Sequence, residues 1–168
     1  MLIFLIGFMG SGKTSVGRHL ARNMHYRFID LDAVIEEREI KTIQEIFDQH
    51  GESYFRQCES KLLSEVYEMK DTVISCGGGT PCFGDNMADM NKHGITVYLK
   101  MEAEALKHRL THAKKKRPLL MNVSEENLLT VIKEKLQLRE PFYKQSKIML
   151  NGLDVDMNLL QKSIQYFN

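Results

Sequence analysis

Gly7-Phe8-Met9-Gly10-Ser11-Gly12-Lys13-Thr14 stands between an apolar run, Leu2 to Ile6, and a stretch in which Val16, Leu20 and Met24 recur four apart. The run reads as a fully buried strand, and the spacing of four reads as one face of a helix. The eight residues match G-x-x-x-x-G-K-[ST], the phosphate-binding loop, in the strand-to-helix context that the pattern requires. Its glycines permit backbone conformations that side chains obstruct, so successive N–H groups turn inward at the positive end of a helix dipole and form an anion nest. On this reading Gly10, Ser11, Gly12, Lys13, Thr14 and Ser15 cradle nucleotide phosphates. Lys13 meets the β- and γ-phosphates, and the Thr14 hydroxyl holds Mg²⁺.

Outward from this loop the chain alternates between short apolar runs and helical spacings. Further strands are expected at Tyr26 to Ile29, Thr72 to Cys76, Ile95 to Leu99 and Lys147 to Leu150. Thr42 and Glu45 form a T-x-x-E capping box that starts a helix, and Gly51 is placed to end it. A second helix follows, with Phe55, Leu62, Val66 and Met69 on its apolar face. Helical patterns also cover Asp85 to Lys92, Glu102 to His112, Glu125 to Arg139 behind Ser124 as N-cap, and Met157 to Phe167. Strands alternating with helices imply an α/β three-layer sandwich around a parallel sheet.

Nothing in the 168 residues marks a second domain, since no repeat, low-complexity tract or Pro/Gly/Ser linker interrupts the pattern. A net charge of +1 gives no general pull toward nucleic acid or a membrane surface, so any anion must be caught locally. Cys58, Cys76 and Cys82 are odd in number and lack metal-ligand spacing, which reads as reduced thiols in a cytoplasmic protein. The apolar stretch Leu2 to Met9 is far short of the ~20 residues that span a bilayer. Lys114, Lys115, Lys116 and Arg117, followed by Pro118, read as a mobile basic loop.

A phosphate-binding loop alone is compatible with GTPases, ATPases and small-molecule kinases. The guanine-specifying N-K-x-D is missing, because Asn91-Lys92-His93-Gly94 lacks the aspartate. Asp48-Gln49-His50-Gly51 fits D-x-x-G but follows a helical pattern, not a strand. On the acceptor side, Asp30 and Asp32 flank Leu31 after the second strand, where strand alternation places both carboxylates on one side of the sheet's carboxyl edge. Asp30 is assigned to the metal shell and Asp32 to the acceptor hydroxyl as base. The bland alternative is that one aspartate caps the next helix. Gly77, Gly78 and Gly79 after the third strand imply close backbone approach to a ligand, or else a plain tight turn. No Walker-B aspartate ends that strand.

At this point the chain resembles the shikimate kinases, small P-loop enzymes similar in fold to nucleoside monophosphate kinases. The resemblance rests on six ordered motifs between Leu2 and Tyr143. They are G-F-M-G-S-G-K-T from Gly7, D-x-D from Asp30 with Ile35-Glu36 behind it, G-E-x-x-F-R-x-x-E over Gly51 to Glu59, G-G-G from Gly77, R-P-L-L from Arg117, and R-x-P-x-Y from Arg139. It implies ATP-dependent phosphorylation of the shikimate 3-hydroxyl, with shikimate and ATP as partners and a monomeric enzyme. It implies that Asp32 binds the acceptor hydroxyls, Arg56 and Arg139 clamp the carboxylate, and Gly78 and Gly79 add backbone contacts. Phe47 and Phe55 would wall the ring or serve as core, and Glu59 would orient Arg56. Arg117, in a lid over about 112–123, would meet the phosphates in the transition state, and Arg109 would flank the adenine.

The expected architecture is one domain over 1–168, a three-layer α/β/α P-loop NTPase fold with five parallel strands in order 2-3-1-4-5. A helical region at about 33–61 would hold shikimate. A kinase of gluconate or another small hydroxy acid, and a non-catalytic nucleotide-binding module, are the competing readings. Two stretches depart from the family pattern: Thr80-Pro81-Cys82 after the glycines, and Asn151 to Asp156, which lacks an arginine for the adenine. Cys82 is not expected to act as a nucleophile, since phosphoryl transfer needs no thiol.

Overall fold

The computed structural model describes residues 1–113 and 123–167. Most of the expected lid, with Lys114 to Lys116 and Arg117, lies outside the described residues. Strand β1 (Leu2–Ile6) is buried along its whole length. It pairs in parallel with β3 (Thr72–Ser75) on one edge and β4 (Ile95–Lys100) on the other. Strand β2 (Arg27–Asp30) adds outside β3, and β5 (Ile148–Asn151) adds outside β4. The sheet order is β2-β3-β1-β4-β5, as expected.

Alternation along β1 divides the core. Leu2, Phe4 and Ile6 face a cluster with Ile35, Ile46, Leu62, Val66, Met90 and Tyr143. Those residues belong to α2 (Leu31–Glu39), α3 (Ile43–Tyr67), α4 (Asn86–His93) and α6 (Glu125–Tyr143). Ile3 and Leu5 face Leu20 and Ala21 of α1 (Lys13–Met24) and Leu160 and Ile164 of α7 (Met157–Tyr166). A third cluster joins Phe8 and Met101 to Ala103 and Leu106 of α5 (Ala103–Thr111) and to Leu128 and Ile132 of α6. The three layers therefore follow from period-2 burial of the strand against helices on both faces.

One expectation needs correction. β2 stops at Asp30, so strand alternation does not bring Asp30 and Asp32 together. Asp30 is instead the N-cap of α2, its carboxylate accepting from the Ala33 N–H, and Asp32 lies in the helix's first turn. Leu31 and Ile35, one turn apart on α2, are both buried and turn that helix face to the core. The helix begun at Thr42 ends at Gly51 as expected: Gly51 adopts the non-helical φ 77° and ψ 172°, and α3 is two helical stretches joined by a kink there, the second reaching Tyr67. The capping box forms as expected, with the Glu45 carboxylate accepting from the Thr42 N–H at 2.7 Å and the Thr42 hydroxyl accepting from the Glu45 N–H at 3.2 Å. α6 runs past Arg139 through Pro141, anchored by the fully buried Tyr143.

Among the described residues no helix is long and apolar enough to cross a membrane. α1 sits so close to the sheet that a Cβ on Gly17 would lie 2.5 Å from Phe28 Cε2 and 3.0 Å from Leu5 Cδ1. Gly17→Val is therefore expected to lower the unfolding free energy by about 1–3 kcal/mol, the usual cost of overpacking. Urea denaturation with an unchanged m-value would measure it; parental stability would mean that α1 can move off β2 without cost.

Candidate active site

Between Ile6 and Lys13 the backbone reaches φ values of 139° at Gly7, 82° at Gly10 and 97° at Gly12, conformations that a side chain would strain. Gly12 is the N-cap of α1 and contributes no side-chain cap, and the first turn carries no acid. By contrast, α2, α3, α6 and α7 are all capped by Asp, Thr or Ser side chains. α1 thus presents its first N–H groups and its dipole to whatever occupies the loop, which is what an anion site needs. Lys13 is only 8% exposed, and its ammonium donates to the Gly7 and Phe8 carbonyls, both at 2.9 Å.

Three strand ends meet beside this loop. The Thr14 hydroxyl donates to Asp30 Oδ2 at 2.7 Å, and Ser75 Oγ lies 3.4 Å from Thr14 Oγ1. Asp30 and Ser75 are partners in the β2–β3 register. Ser75 had no assigned role from sequence; its signal was its place at the end of the strand where an aspartate was sought and not found. Hydroxyl and carboxylate oxygens are hard donors, the type that suits Mg²⁺.

Two cavities open along the carboxyl edge. One, about 520 Å³, is lined by the phosphate-binding loop, Arg18, Asp30, Asp32, Glu36 and Ser75. The other, about 70 Å³, is lined by Ile43, Phe47, Phe55, Arg56, Glu59, Gly77, Gly79 and Arg139. Met9, Asp32 and Gly78 line both. Asp32 thus stands at the junction, and the expected acceptor residues Arg56, Gly78, Gly79 and Arg139 all line the smaller cavity.

The two arginines are held differently. Arg56 Nη1 donates to Glu59 Oε2 at 2.5 Å, and its Nη2 and Nε donate to Glu52 Oε1 at 2.7 and 3.2 Å. Glu59 is 1% exposed, and its other oxygen accepts from the Thr80 hydroxyl. Arg139 lies over the Phe8 ring at 5.6 Å, and its Nη1 is buried with no hydrogen-bond partner among the described residues. A buried guanidinium N–H without an acceptor is costly unless a ligand supplies one. The Tyr143 hydroxyl donates to the Gly78 carbonyl and fixes the glycine turn beside it.

Sequence reasoning quoted Glu52 within G-E-x-x-F-R without assigning it a role; the i, i+4 spacing to Arg56 was the available signal. Arg109 reaches the Gly10 carbonyl at 3.4 Å and the Gly152 carbonyl at 3.3 Å, tying the phosphate-binding loop to the segment after β5. Burial pushes the Cys82 thiol up to about 11 despite the nearby Arg139 and Arg56, so it is protonated at neutral pH and unsuited to nucleophilic work. Arg117 lies outside the described residues.

Removing the buried carboxylate leaves Arg56 with Glu52 alone and the Thr80 hydroxyl without its acceptor. Glu59→Ala is expected to cost about 3 kcal/mol of folding stability, the scale for breaking one side of a buried ion pair. Chemical denaturation would register the loss, and a cost near zero would show that Glu52 alone satisfies Arg56.

The shikimate kinase family model matches residues 9–165. The shikimate kinase of Phocaeicola vulgatus is 50% identical over 163 residues, covering 96% of this chain and 93% of that protein. A crystal structure of the Bacteroides thetaiotaomicron shikimate kinase superposes with a TM-score of 0.88 at 43% identity, covering 99% of this chain and 96% of the other. The Acinetobacter baumannii shikimate kinase in complex with shikimate gives 0.85 at 34% identity, covering 99% and 92%. With the phosphate-binding loop, the paired cavities and the two arginines in place, these likenesses show that the chain belongs to the shikimate kinase family.

Proposed function

We propose that this chain transfers the γ-phosphoryl group of ATP to the 3-hydroxyl of shikimate. The observation that carries the reading is Asp32 at the junction of a cavity lined by the phosphate-binding loop and a cavity lined by Arg56 and Arg139. Shikimate offers a carboxylate and ring hydroxyls, and a relative of this family has been crystallised with it. In the smaller cavity Arg56 and Arg139 bind the carboxylate by charge-assisted hydrogen bonds. Arg139 Nη1, buried without a partner among the described residues, gains an acceptor there. Gly78 and Gly79 let the ring approach the backbone, and Phe47 and Phe55 cover its apolar side.

Asp32 accepts the proton of the attacking hydroxyl, while Gly10, Ser11, Gly12, Lys13, Thr14 and Ser15 hold the phosphates. Lys13 exchanges its carbonyl partners at Gly7 and Phe8 for β- and γ-phosphate oxygens. Thr14 and Asp30 would hold Mg²⁺, which would supply charge neutralisation at the phosphates. Arg109 borders the nucleotide base. Arg117, from the lid assigned to about 112–123, adds positive charge to the transferring group and helps exclude water. The chain acts as one domain over 1–168 and as a monomer in the cytoplasm, with the region about 33–61 holding the acceptor.

Purified protein with Mg·ATP and either shikimate or gluconate tests the acceptor. Shikimate-dependent ADP release is expected, and turnover of gluconate alone would overturn the proposal. Asp32→Asn is expected to lower kcat by about 10²–10⁴-fold, the usual weight of a positioned base. Its KM for ATP should stay within about twofold, because the lost interaction belongs to the transition state. Lys13→Ala should damage both parameters. Near-parental turnover in Asp32→Asn would remove Asp32 from the base role.

A further inference from the structure

The Thr80-Pro81-Cys82 departure leads to Phe83, which is 37% exposed. Its ring centroid lies 3.8 Å from Arg56 Cζ, much closer than the 5.3 Å of Phe55. A guanidinium lying over an aromatic ring at this distance is held by the ring's quadrupole.

The backbone under Phe83 is fixed. Thr80–Cys82 forms a 3₁₀ turn in which the Cys82 N–H donates to the Gly79 carbonyl at 2.8 Å. The Asn86 side chain donates to the Thr80 carbonyl at 2.8 Å. The Thr80 hydroxyl is anchored on Glu59, which also binds Arg56. One short segment thus grips the same arginine twice, through Glu59 and through Phe83.

The two grips do different work. Glu52 and Glu59 accept from the N–H groups along the rim of the guanidinium and limit its rotation within its own plane. Rim hydrogen bonds leave tilt less restricted, and tilt is what flat contact controls. A Cβ on Gly79 would lie 2.7 to 3.0 Å from Nη2, Nη1 and Cζ together, so the glycine backbone is itself packed closely on the guanidinium. Phe83 supplies the aromatic part of that confinement.

We propose that Phe83 is a positioning residue for the acceptor: its ring sets the tilt of Arg56 before the acceptor carboxylate arrives. This rests on the reading of Arg56 as a carboxylate clamp. A preoriented guanidinium loses less freedom on forming paired hydrogen bonds, so the benefit falls on acceptor affinity and not on the phosphoryl step.

Steady-state kinetics of Phe83→Leu, Phe83→Tyr and Arg56→Ala with shikimate and Mg·ATP provide the test. Leucine keeps apolar bulk without a π face, and tyrosine keeps the face. Phe83→Leu is expected to raise KM for shikimate about three- to tenfold, the weight of a partly exposed cation–π contact, with Phe83→Tyr at the parental value. The KM for ATP and kcat should stay within about twofold in both. A parental shikimate KM in Phe83→Leu would overturn the proposal, as would a parallel loss in kcat and both KM values, which signals general structural damage. Arg56→Ala separates the two levels. If it leaves the shikimate KM unchanged, the clamp reading fails; if it raises that KM while Phe83→Leu does not, the clamp stands and only the role of Phe83 falls.

Discussion

The site depends on β1 being buried on both faces and hydrogen-bonded on both edges. Ile3 and Leu5 pack against α1 and α7, while Leu2, Phe4 and Ile6 pack against the opposite layer. β3 and β4 hold its two edges in parallel register. A strand so enclosed cannot slide by one residue without reversing every side chain between the two cores. Ile6 is therefore a fixed point, and the loop from Gly7 to Lys13 is launched from it toward the carboxyl edge. The same registers bring Asp30 beside Ser75, so the oxygens near Thr14 are consequences of strand pairing as much as of local sequence.

Much of this was legible before any coordinates. The phosphate-binding loop is local: its glycines, lysine and threonine act within eight residues, and their spacing carries the chemistry directly. The alternation of elements gave a parallel sheet, and the strand order came with the family resemblance. The boundaries were less legible where tertiary burial decided them. Leu31 and Ile35 turn D-L-D from a strand end into a helix start, because both must reach the core behind Phe4 and Ile74. Gly51 was legible by contrast, since a glycine with positive φ interrupts a helix, and Phe55, Leu62 and Val66 after it begin a second stretch packed on the same core.

The acceptor pocket was legible in part because its arginines sit in motifs, whereas their supports are scattered. Glu52 and Glu59 flank Arg56 on one helix, but Thr80 and Phe83 reach it from a turn more than twenty residues away in sequence. No periodicity links those positions. Only the sheet, by placing the end of β3 near α3, makes them neighbours, so the segment that looked like a departure from the family becomes part of the arginine's surroundings.

Charge accounting then separates the two arginines. Burying Glu59 without a partner would cost several kcal/mol, so Arg56 stabilises it and is in turn oriented by it. With Glu52 also bound, Arg56 already faces two carboxylates and offers little net positive charge to a third. Arg139 is the opposite case, lying over Phe8 with a buried Nη1 that no described residue satisfies. On the proposed reading, an acceptor carboxylate is therefore attracted chiefly by Arg139 and aligned chiefly by Arg56. That division reconciles a chain of net charge +1 with selective capture of a small anion: attraction comes from one guanidinium with an unsatisfied buried N–H, and geometry from another whose charge is already balanced.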